Sequence, residues 1–183
     1  IPAGRPLALF VGRVAHEKNI GFLLQALAHA RRQQPELLLA IAGEGPALAG
    51  LRREAADLGL TEHVHFVGYL DRQQELPDCY AAADVFVFSS RTETQGLVLL
   101  EAMAAGVPVY ALACLGTCSI VDPGRGAIAA PDDPAAFGAG LAELMTDAGR
   151  RADMAQAGRE FAREWSAPER ARQLADLYRS LVV

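Results

Sequence analysis

The stretch Arg91-Thr-Glu-Thr-Gln-Gly-Leu-Val-Leu-Leu-Glu-Ala-Met-Ala-Ala-Gly106 follows an apolar run, Val85 to Phe88, and two serines. Its first residues are polar and lead into Gly96, whereas Leu97 to Ala105 is a run of strong helix formers. We therefore predict a strand, a turn and the N-terminus of a helix. The free N–H groups at such a helix start point toward whatever lies above the end of the strand, where they can bind an anion.

Two carboxylates flank this turn. Glu93 lies in the turn itself, and Glu101 lies one helical turn after Leu97, on the same face of the helix and facing the same rim. Carboxylates beside an anion-binding helix end suit a ligand with hydroxyl and phosphate groups, such as a nucleotide sugar. The Glu-x7-Glu spacing occurs three times, but only this pair flanks a glycine turn that opens an apolar helix. The alternative is that the acids only complement the helix dipole.

A second polar segment follows the apolar run Leu7–Val11. Gly12 lets a ligand approach the backbone, and Arg13 and Lys18 place two cations at the end of the predicted strand. Arginine can bind phosphate oxygens with a fork of N–H groups, and lysine can act as a compact charge. Lys18 is also the only lysine in the sequence. We interpret the set as a phosphate site; alternatively, Arg13 pairs with a carboxylate and Lys18 is a solvated residue before a helix.

Apolar runs alternate with helical patterns along the chain, and the runs lack polar alternation, as in strands covered on both faces. The predicted strands are Leu7–Val11, Leu37–Ala42, Val64–Val67, Val85–Phe88, Val107–Leu112 and Ala127–Ala130. The predicted helices are Ile20–Gln33 with Asn19 as N-cap, Pro46–Leu58, Leu76–Ala82, Leu97–Ala105, Ala135–Met145, Arg150–Glu164 and Pro168–Leu181, the last belonging to a C-terminal helix over 168–183. These elements predict a single α/β domain over residues 1–183, a doubly wound, Rossmann-like parallel sheet that binds its ligand at the C-terminal strand ends.

Other classes of site do not fit the sequence. The glycines after the first two strands do not form G-x-G-x-x-G, and a P-loop motif is absent. No Asp-x-Asp pair is present to hold a metal on a diphosphate, so we expect no metal and no other cofactor. Without a metal, the negative charge that develops on the leaving group would be stabilised by Arg13, Lys18 and the helix N-terminus near Gly96.

The net charge of −5 argues against nucleic-acid binding, and no apolar run reaches the ~18 residues of a membrane span.

Three cysteines, Cys79, Cys114 and Cys118, are an odd number without a disulfide framework. We expect them to be reduced and the protein to be cytoplasmic. The chain begins at Ile1 without a charged leader or an initiator methionine, so we expect it to be a fragment of a longer, two-domain protein. Peripheral contact with the inner face of a membrane would then belong to the missing half.

An ordered series of motifs, from about residue 7 to 181, is similar to the C-terminal half of the family-4 retaining glycosyltransferases of GT-B fold. The motifs are Gly12-Arg13 with Glu17-Lys18-Asn19, Ile41-Ala-Gly-Glu-Gly-Pro46, Phe66-Val-Gly-Tyr69, Tyr80-Ala-Ala-Ala-Asp-Val-Phe-Val87 and Glu93-x-x-Gly96-Leu-Val-Leu-Leu-Glu101-Ala-Met-Ala-Ala-Gly106-Val-Pro108. The resemblance implies that this half holds a nucleotide-diphospho-sugar donor. The acceptor would bind to a preceding N-terminal half that is absent from the sequence.

The resemblance also implies roles for individual residues. Arg13 and Lys18 match the diphosphate-binding cations, and Glu93 matches the carboxylate near the reacting centre; these three form the expected catalytic group. Glu101 matches the carboxylate that takes the ribose hydroxyls. The other expected donor-binding residues are Gly12, Gly68 and Tyr69 at the nucleobase pocket, and Thr94, Gln95, Gly96 and Leu97 at the phosphates and sugar.

Two departures from the family pattern concern the donor pocket. Most members have an aromatic residue where this chain has Gln95, and Thr92–Val98 is similar to glycolipid glucosyltransferases, which favours UDP-glucose. The segment Cys114–Cys118 replaces the usual glycine-rich loop. We expect a retaining, metal-independent hexosyltransferase with a glycan or lipid acceptor. The alternatives are a non-catalytic nucleotide-binding or regulatory module and a nucleotide-sugar epimerase of related fold.

Overall fold

The computed structural model describes residues 4–181, in which six strands form one sheet. The strands are β1 (Leu7–Val11), β2 (Leu38–Ala42), β3 (Val64–Gly68), β4 (Val85–Phe88), β5 (Val109–Ala111) and β6 (Ala127–Ala129). All are parallel and lie in the order β3-β2-β1-β4-β5-β6. This is the doubly wound, Rossmann-like sheet that the sequence predicts.

The described residues form eight α-helices. They are α1 (Ile20–Ala30), α2 (Leu48–Asp57), α3 (Glu75–Ala81), α4 (Leu97–Ala105), α5 (Cys118–Val121), α6 (Pro134–Thr146), α7 (Ala148–Glu164) and α8 (Ala167–Leu181). Helix α1 packs against α2 and α6, and α4 packs against α3 and α7.

The order of the strands reverses beside β1. The chain proceeds outward from β1 to β2 and β3, and then returns to place β4 on the other side of β1, with Leu9 opposite Phe86. In open sheets of this kind the loops at the reversal diverge and leave a crevice at the C-terminal ends of the strands. The loops that follow β1 and β4 therefore form the walls of the crevice, and both carry predicted site residues.

The central strands owe their position to their uninterrupted apolar sequences. Every residue of β1, β2, β4 and β5 is buried, as a strand with helices on both faces requires. Phe10 and Phe88 stack across the sheet with ring centroids 5.8 Å apart. Such aromatic pairs add packing energy to area burial and hold neighbouring strands in register.

Two predicted helix starts differ from the structure. Asn19 stands at the N-terminal boundary of α1 but makes no side-chain cap, because its backbone is left-handed (φ 55°) and its amide donates to the Ser89 carbonyl at 3.2 Å. Pro46 precedes α2 rather than opening it. The backbone of Glu44 and Ala47 instead hydrogen-bonds to Val14, which delays the helix to Leu48.

The remaining boundaries agree with the predictions to within a few residues. The largest difference is at the end of α1, which stops at Ala30 because 31–33 form a turn rather than helix. The short helix α5 and two 3-10 turns, His16–Lys18 and Leu115–Thr117, were not predicted. Of the predicted C-terminal helix over 168–183, residues 182 and 183 lie outside the described residues.

We predict that Gly138→Ala destabilises the protein. A Cβ at this position in α6 would lie 2.8 Å from the Cβ of His29 and still closer to the Ala26 carbonyl oxygen, so α1 and α6 would have to separate. Overpacking of this kind costs about 1–3 kcal/mol. Gly50→Ala in α2 is the matched control, since no atom lies within 4 Å of its Cβ, and alanine should stabilise that helix by about 1 kcal/mol. Urea denaturation measures both; a Gly138→Ala variant as stable as the original chain would contradict the prediction.

The stability of the fold should fall when the solution is acidified from about pH 6.5 toward pH 5. Burial lowers the pKa of His63 and His65, and the charges of Arg31 and Arg5 lower the pKa of His63 further. The Nε2 atom of His65 is buried and has no hydrogen-bond partner within residues 4–181. Unfolding restores the ordinary pKa and takes up protons, so the free energy of unfolding rises with pH in this window.

The double variant His63→Gln/His65→Gln should therefore flatten the pH dependence of the urea midpoint between about pH 7 and pH 5. Histidine side chains change their charge within this range. His16→Gln, which changes an exposed loop histidine, is the control and should leave the slope in place. An equally steep slope in the double variant would assign the acid sensitivity to other groups.

Candidate functional site

Two buried serines at the end of β4 hold the loop that follows β1. The Ser89 hydroxyl lies 3.0 Å from the carbonyl oxygen of Asn19 and 3.1 Å from that of Lys18. The Ser90 hydroxyl donates to the Glu17 carbonyl at 3.2 Å. Both serines have no exposed surface, so these bonds are shielded from water. They fix Lys18 above the gap between the two central strands.

A cleft with two adjoining lobes lies at the C-terminal ends of the strands. The first lobe has a volume of about 400 Å³ and the second about 300 Å³. Both lobes are lined by Val11, Gly12, Arg13 and Val98. The first also includes Glu44, Tyr69, Leu70, Arg72, Leu76 and Glu101, and the second includes Lys18 and the turn 93–97.

All predicted site residues except Gly68 line this cleft. Gly68 ends β3, and its carbonyl accepts a hydrogen bond from the Gly43 N–H at 2.7 Å. Its neighbour Tyr69 lies at the first lobe and is 70% exposed. The two predicted carboxylates do not face one common rim as expected: Glu101 lines the first lobe and Glu93 lines the second. The helix α4 turns Glu101 toward α3, whereas Glu93 stays in the turn beside Lys18.

Lys18 and Glu93 form an ion pair inside the second lobe. The Lys18 Nζ lies 2.6 Å from Glu93 Oε2, and the two side chains are 21% and 20% exposed. The pair joins the loop after β1 to the loop after β4. An ammonium group has three donors, so Lys18 can keep Glu93 and still bind an anionic ligand. The lobe thus presents a cation and a carboxylate side by side.

Arg13 is exposed and paired with a nearby carboxylate. Its Nη2 lies 2.7 Å from Glu17 Oε1, four residues along the chain. The alternative interpretation of Arg13, pairing with an acid, is therefore what the structure contains. An ion pair as exposed as this one contributes little to stability. Since Arg13 also lines both lobes, its guanidinium can exchange Glu17 for a phosphate at small cost.

Both carboxylate oxygens of Glu101 accept a hydrogen bond from a side chain that the sequence does not predict at this site. Arg72 Nη2 lies 2.7 Å from Oε1, and the Tyr80 hydroxyl donates to Oε2 at 3.1 Å. Tyr80 belongs to one of the quoted motifs, but nothing in its spacing indicates this contact. Arg72 lies in the turn before α3, and no pattern in the sequence indicates its contact with Glu101.

The turn before α4 is supported by the loop after β5. Gly96 has a positive φ of 68°, which favours glycine, and α4 begins at the next residue. The Gly116 N–H donates to the Glu93 carbonyl at 2.9 Å, and a side chain at 116 would overlap the backbone of Thr94. The segment Cys114–Cys118 therefore packs closely against the turn. The second lobe is consequently lined, at the helix N-terminus, by Gln95, Gly96 and Leu97.

The described residues contain neither a metal-binding cluster nor a membrane-spanning helix. Between residues 4 and 181, no group of three or more His, Cys, Asp or Glu side chains is arranged to hold a metal ion. The expected absence of a metal requirement stays a prediction. Over the same range, none of the helices combines the length and apolarity needed to cross a membrane.

The chain is similar to two relatives that are named as glycosyltransferases. It is 38% identical over 182 residues to the GDP-mannose-dependent alpha-(1-6)-phosphatidylinositol monomannoside mannosyltransferase of Mycolicibacterium smegmatis, an alignment covering 94% of this chain and 47% of that one. It is 35% identical over 188 residues to the D-inositol 3-phosphate glycosyltransferase of Salinispora tropica, which covers 97% of this chain and 39% of the relative. The chain therefore spans less than half the length of these relatives.

A solved structure and a family model agree with these similarities. The sucrose-phosphate synthase of Thermosynechococcus elongatus superposes with a TM-score of 0.84 at 32% identity, over 99% of this chain and 46% of that one. Residues 1–161 match the family model described as Glycosyl transferases group 1. The resemblance that the motifs carry is thereby confirmed, and the chain belongs to the group 1 glycosyl transferases.

Proposed function

We propose that this chain is the donor-binding half of a retaining glycosyltransferase. One observation supports this above all others: Lys18 and Glu93, 2.6 Å apart, line one lobe of a cleft whose adjoining lobe is lined by Glu101. The cleft then offers, in order, an acid for ribose, cations for a diphosphate and an acid for a hexose. These groups follow one another in the same order in a nucleotide-diphospho-hexose.

The first lobe would hold the nucleoside. Tyr69 exposes an aromatic ring there, and Leu70 and Leu76 add an apolar lining. A planar base can stack on an aromatic face, and a carboxylate accepts hydrogen bonds from sugar hydroxyls. Glu101 would therefore take the ribose hydroxyls while the base lies toward Tyr69.

The diphosphate would lie between the lobes, close to Arg13 and Lys18. When the bond from the anomeric carbon to the diphosphate oxygen breaks, negative charge develops on that oxygen. Arg13, Lys18 and the N–H groups that open α4 at Leu97 would stabilise this charge without a metal ion. The acceptor hydroxyl would form the new bond on the same face of the sugar, and its proton would pass to the leaving diphosphate.

Glu93 would orient the hexose. Its Oε2 is paired with Lys18, and its carbonyl is held by the Gly116 N–H. A carboxylate fixed in this way can accept hydrogen bonds from hexose hydroxyls and hold the anomeric carbon in line for reaction. Positioning of this kind can supply a large part of the rate acceleration.

The donor proposed here is a nucleotide-diphospho-hexose, and two candidates follow from different observations. The segment Thr92–Val98 favours UDP-glucose through its similarity to glycolipid glucosyltransferases. A relative 38% identical is named for GDP-mannose. The acceptor would be a glycan or a lipid, bound by an N-terminal half, and the whole protein would act in the cytoplasm, in contact with the inner face of a membrane if the acceptor is a lipid.

We predict that the chain binds its nucleotide sugar with the residues named above. Calorimetric titrations with UDP-glucose, GDP-mannose, UDP and GDP should give saturable binding for one of the two nucleotide families. Lys18→Ala and Glu101→Ala should each weaken that binding about tenfold or more, the value of a charged hydrogen bond.

Glu164→Ala is the matched control for these variants. Like Glu101, Glu164 is paired with an arginine, and about half of its side chain is exposed. Its partner, Arg125, lies outside the cleft. The control should bind as tightly as the original chain. A folded chain that binds none of the four nucleotides would refute the proposed function, and tight binding that survives both site variants would refute the assigned residues.

We also predict that the 183-residue chain binds donor without transferring its sugar. Transfer requires an acceptor held over the second lobe, and the relatives are more than twice as long as the matched segment. Release of nucleoside diphosphate from the nucleotide sugar should therefore stay at background with this chain and appear when an N-terminal half is joined to it. Glu93→Gln in the joined protein should abolish most of the release. Acceptor-dependent transfer by the short chain alone would contradict this prediction.

A further inference from the structure

Both oxygens of the Glu101 carboxylate are held at the edge of the first lobe. Arg72 Nη2 donates to Oε1 at 2.7 Å, and the Tyr80 hydroxyl donates to Oε2 at 3.1 Å. Arg72 precedes α3, and Tyr80 lies within it. A carboxylate with a separate partner on each oxygen cannot rotate without losing a hydrogen bond. The plane of the Glu101 carboxylate is therefore fixed from the α3 side.

A closed turn presents Arg72 to Glu101. Asp71 Oδ1 accepts hydrogen bonds from the N–H groups of Gln73 and Gln74 at 2.8 and 3.0 Å, and the Asp71 N–H donates to Glu75 at 2.9 Å. The N–H groups of Gln74 and Gln73 lower the pKa of Asp71, so its carboxylate stays charged at neutral pH. The Arg72 side chain is 72% exposed, and an exposed ion pair adds little to folding stability. Stability therefore does not account for the pair.

The core holds Tyr80 in place. Only 4% of its surface is exposed, and its ring centroid lies 5.9 Å from that of Phe86 in β4. Burial, and secondly the charge of Glu101, raise the pKa of the Tyr80 hydroxyl, so it remains protonated. A protonated hydroxyl beside a carboxylate can only donate to it. The direction of this hydrogen bond is thus set by the environment.

The arrangement leaves part of the carboxylate free on the side of the lobe. A carboxylate has about four acceptor positions, and Arg72 and Tyr80 use one on each oxygen. About two positions remain, and the Glu101 side chain, which lines the lobe, is 33% exposed. A ribose has two neighbouring hydroxyls, and each of them can donate a hydrogen bond to one of these free acceptor positions.

We infer that Arg72 and Tyr80 are positioning residues that turn the free side of the Glu101 carboxylate toward both ribose hydroxyls. They thereby set a preference of the cleft for ribonucleotides over 2′-deoxyribonucleotides. The inference rests on the proposed function, because it requires the nucleoside to lie in the first lobe. A residue that only supported the fold would change stability but would not change this preference.

The test is a comparison of dissociation constants for UDP with 2′-deoxy-UDP and for GDP with 2′-deoxy-GDP, measured by calorimetry. For the pair that binds, the original chain should prefer the ribonucleotide about tenfold, the value of one charged hydrogen bond. Arg72→Ala and Tyr80→Phe should each reduce the preference to about threefold or less. Arg72→Lys should restore part of it, because an ammonium can still donate to Oε1. Tyr80→Phe keeps the buried ring, so this variant should fold.

Arg125→Ala is the control, since it removes one exposed arginine that bridges a glutamate at 2.7 Å away from the cleft. It should keep the full ribose preference. An unchanged preference in both Arg72→Ala and Tyr80→Phe would overturn the inference, and so would equal binding of ribose and deoxyribose forms by the original chain. In either case the proposed function would stand as long as a nucleotide binds. Absence of binding by every nucleotide would overturn both.

Discussion

The ion pair between Lys18 and Glu93 is the interaction on which the candidate site depends. It joins two loops that are 75 residues apart in the chain and that meet only because β4 returns to lie beside β1. Ser89 and Ser90 secure the same junction from below, since their hydroxyls bond to the backbone that carries Lys18. Buried hydrogen bonds of this kind are costly to break, so the backbone that carries Lys18 is held in place.

This junction has a consequence for the electrostatics of the cleft. A lone carboxylate beside the expected diphosphate would repel it, whereas a carboxylate paired with an ammonium presents almost no net charge. Lys18 can therefore serve Glu93 and a phosphate together, and the helix N-terminus at Gly96 adds a further positive end. The acid proposed for the hexose and the cations proposed for the leaving group can then occupy one small lobe.

The parts of the molecule that the sequence predicts are those governed by local patterns. Continuous apolar runs identify β1, β2 and β4 because both faces of each strand are buried. Local helix rules predict a cap at Asn19 and a helix start at Pro46, but long-range hydrogen bonds at the strand ends override those rules. Arg72 could not be foreseen, because its contact with Glu101 depends on how the loop before α3 packs against α4, and no periodicity encodes that packing.

The two lobes hold their carboxylates in different ways, and the difference fits the chemistry proposed for each. Among the described residues Glu93 is paired with Lys18, whose ammonium has three donors and can bind a phosphate at the same time. Glu101 is fixed by a guanidinium and a buried hydroxyl that cannot accept in its place. The ribose proposed to bind there would undergo no reaction, and a rigid acceptor would lose little entropy when its hydroxyls bind. In the proposed function, a shared ammonium at the reacting end and a doubly held carboxylate at the recognition end are therefore separated along a single cleft.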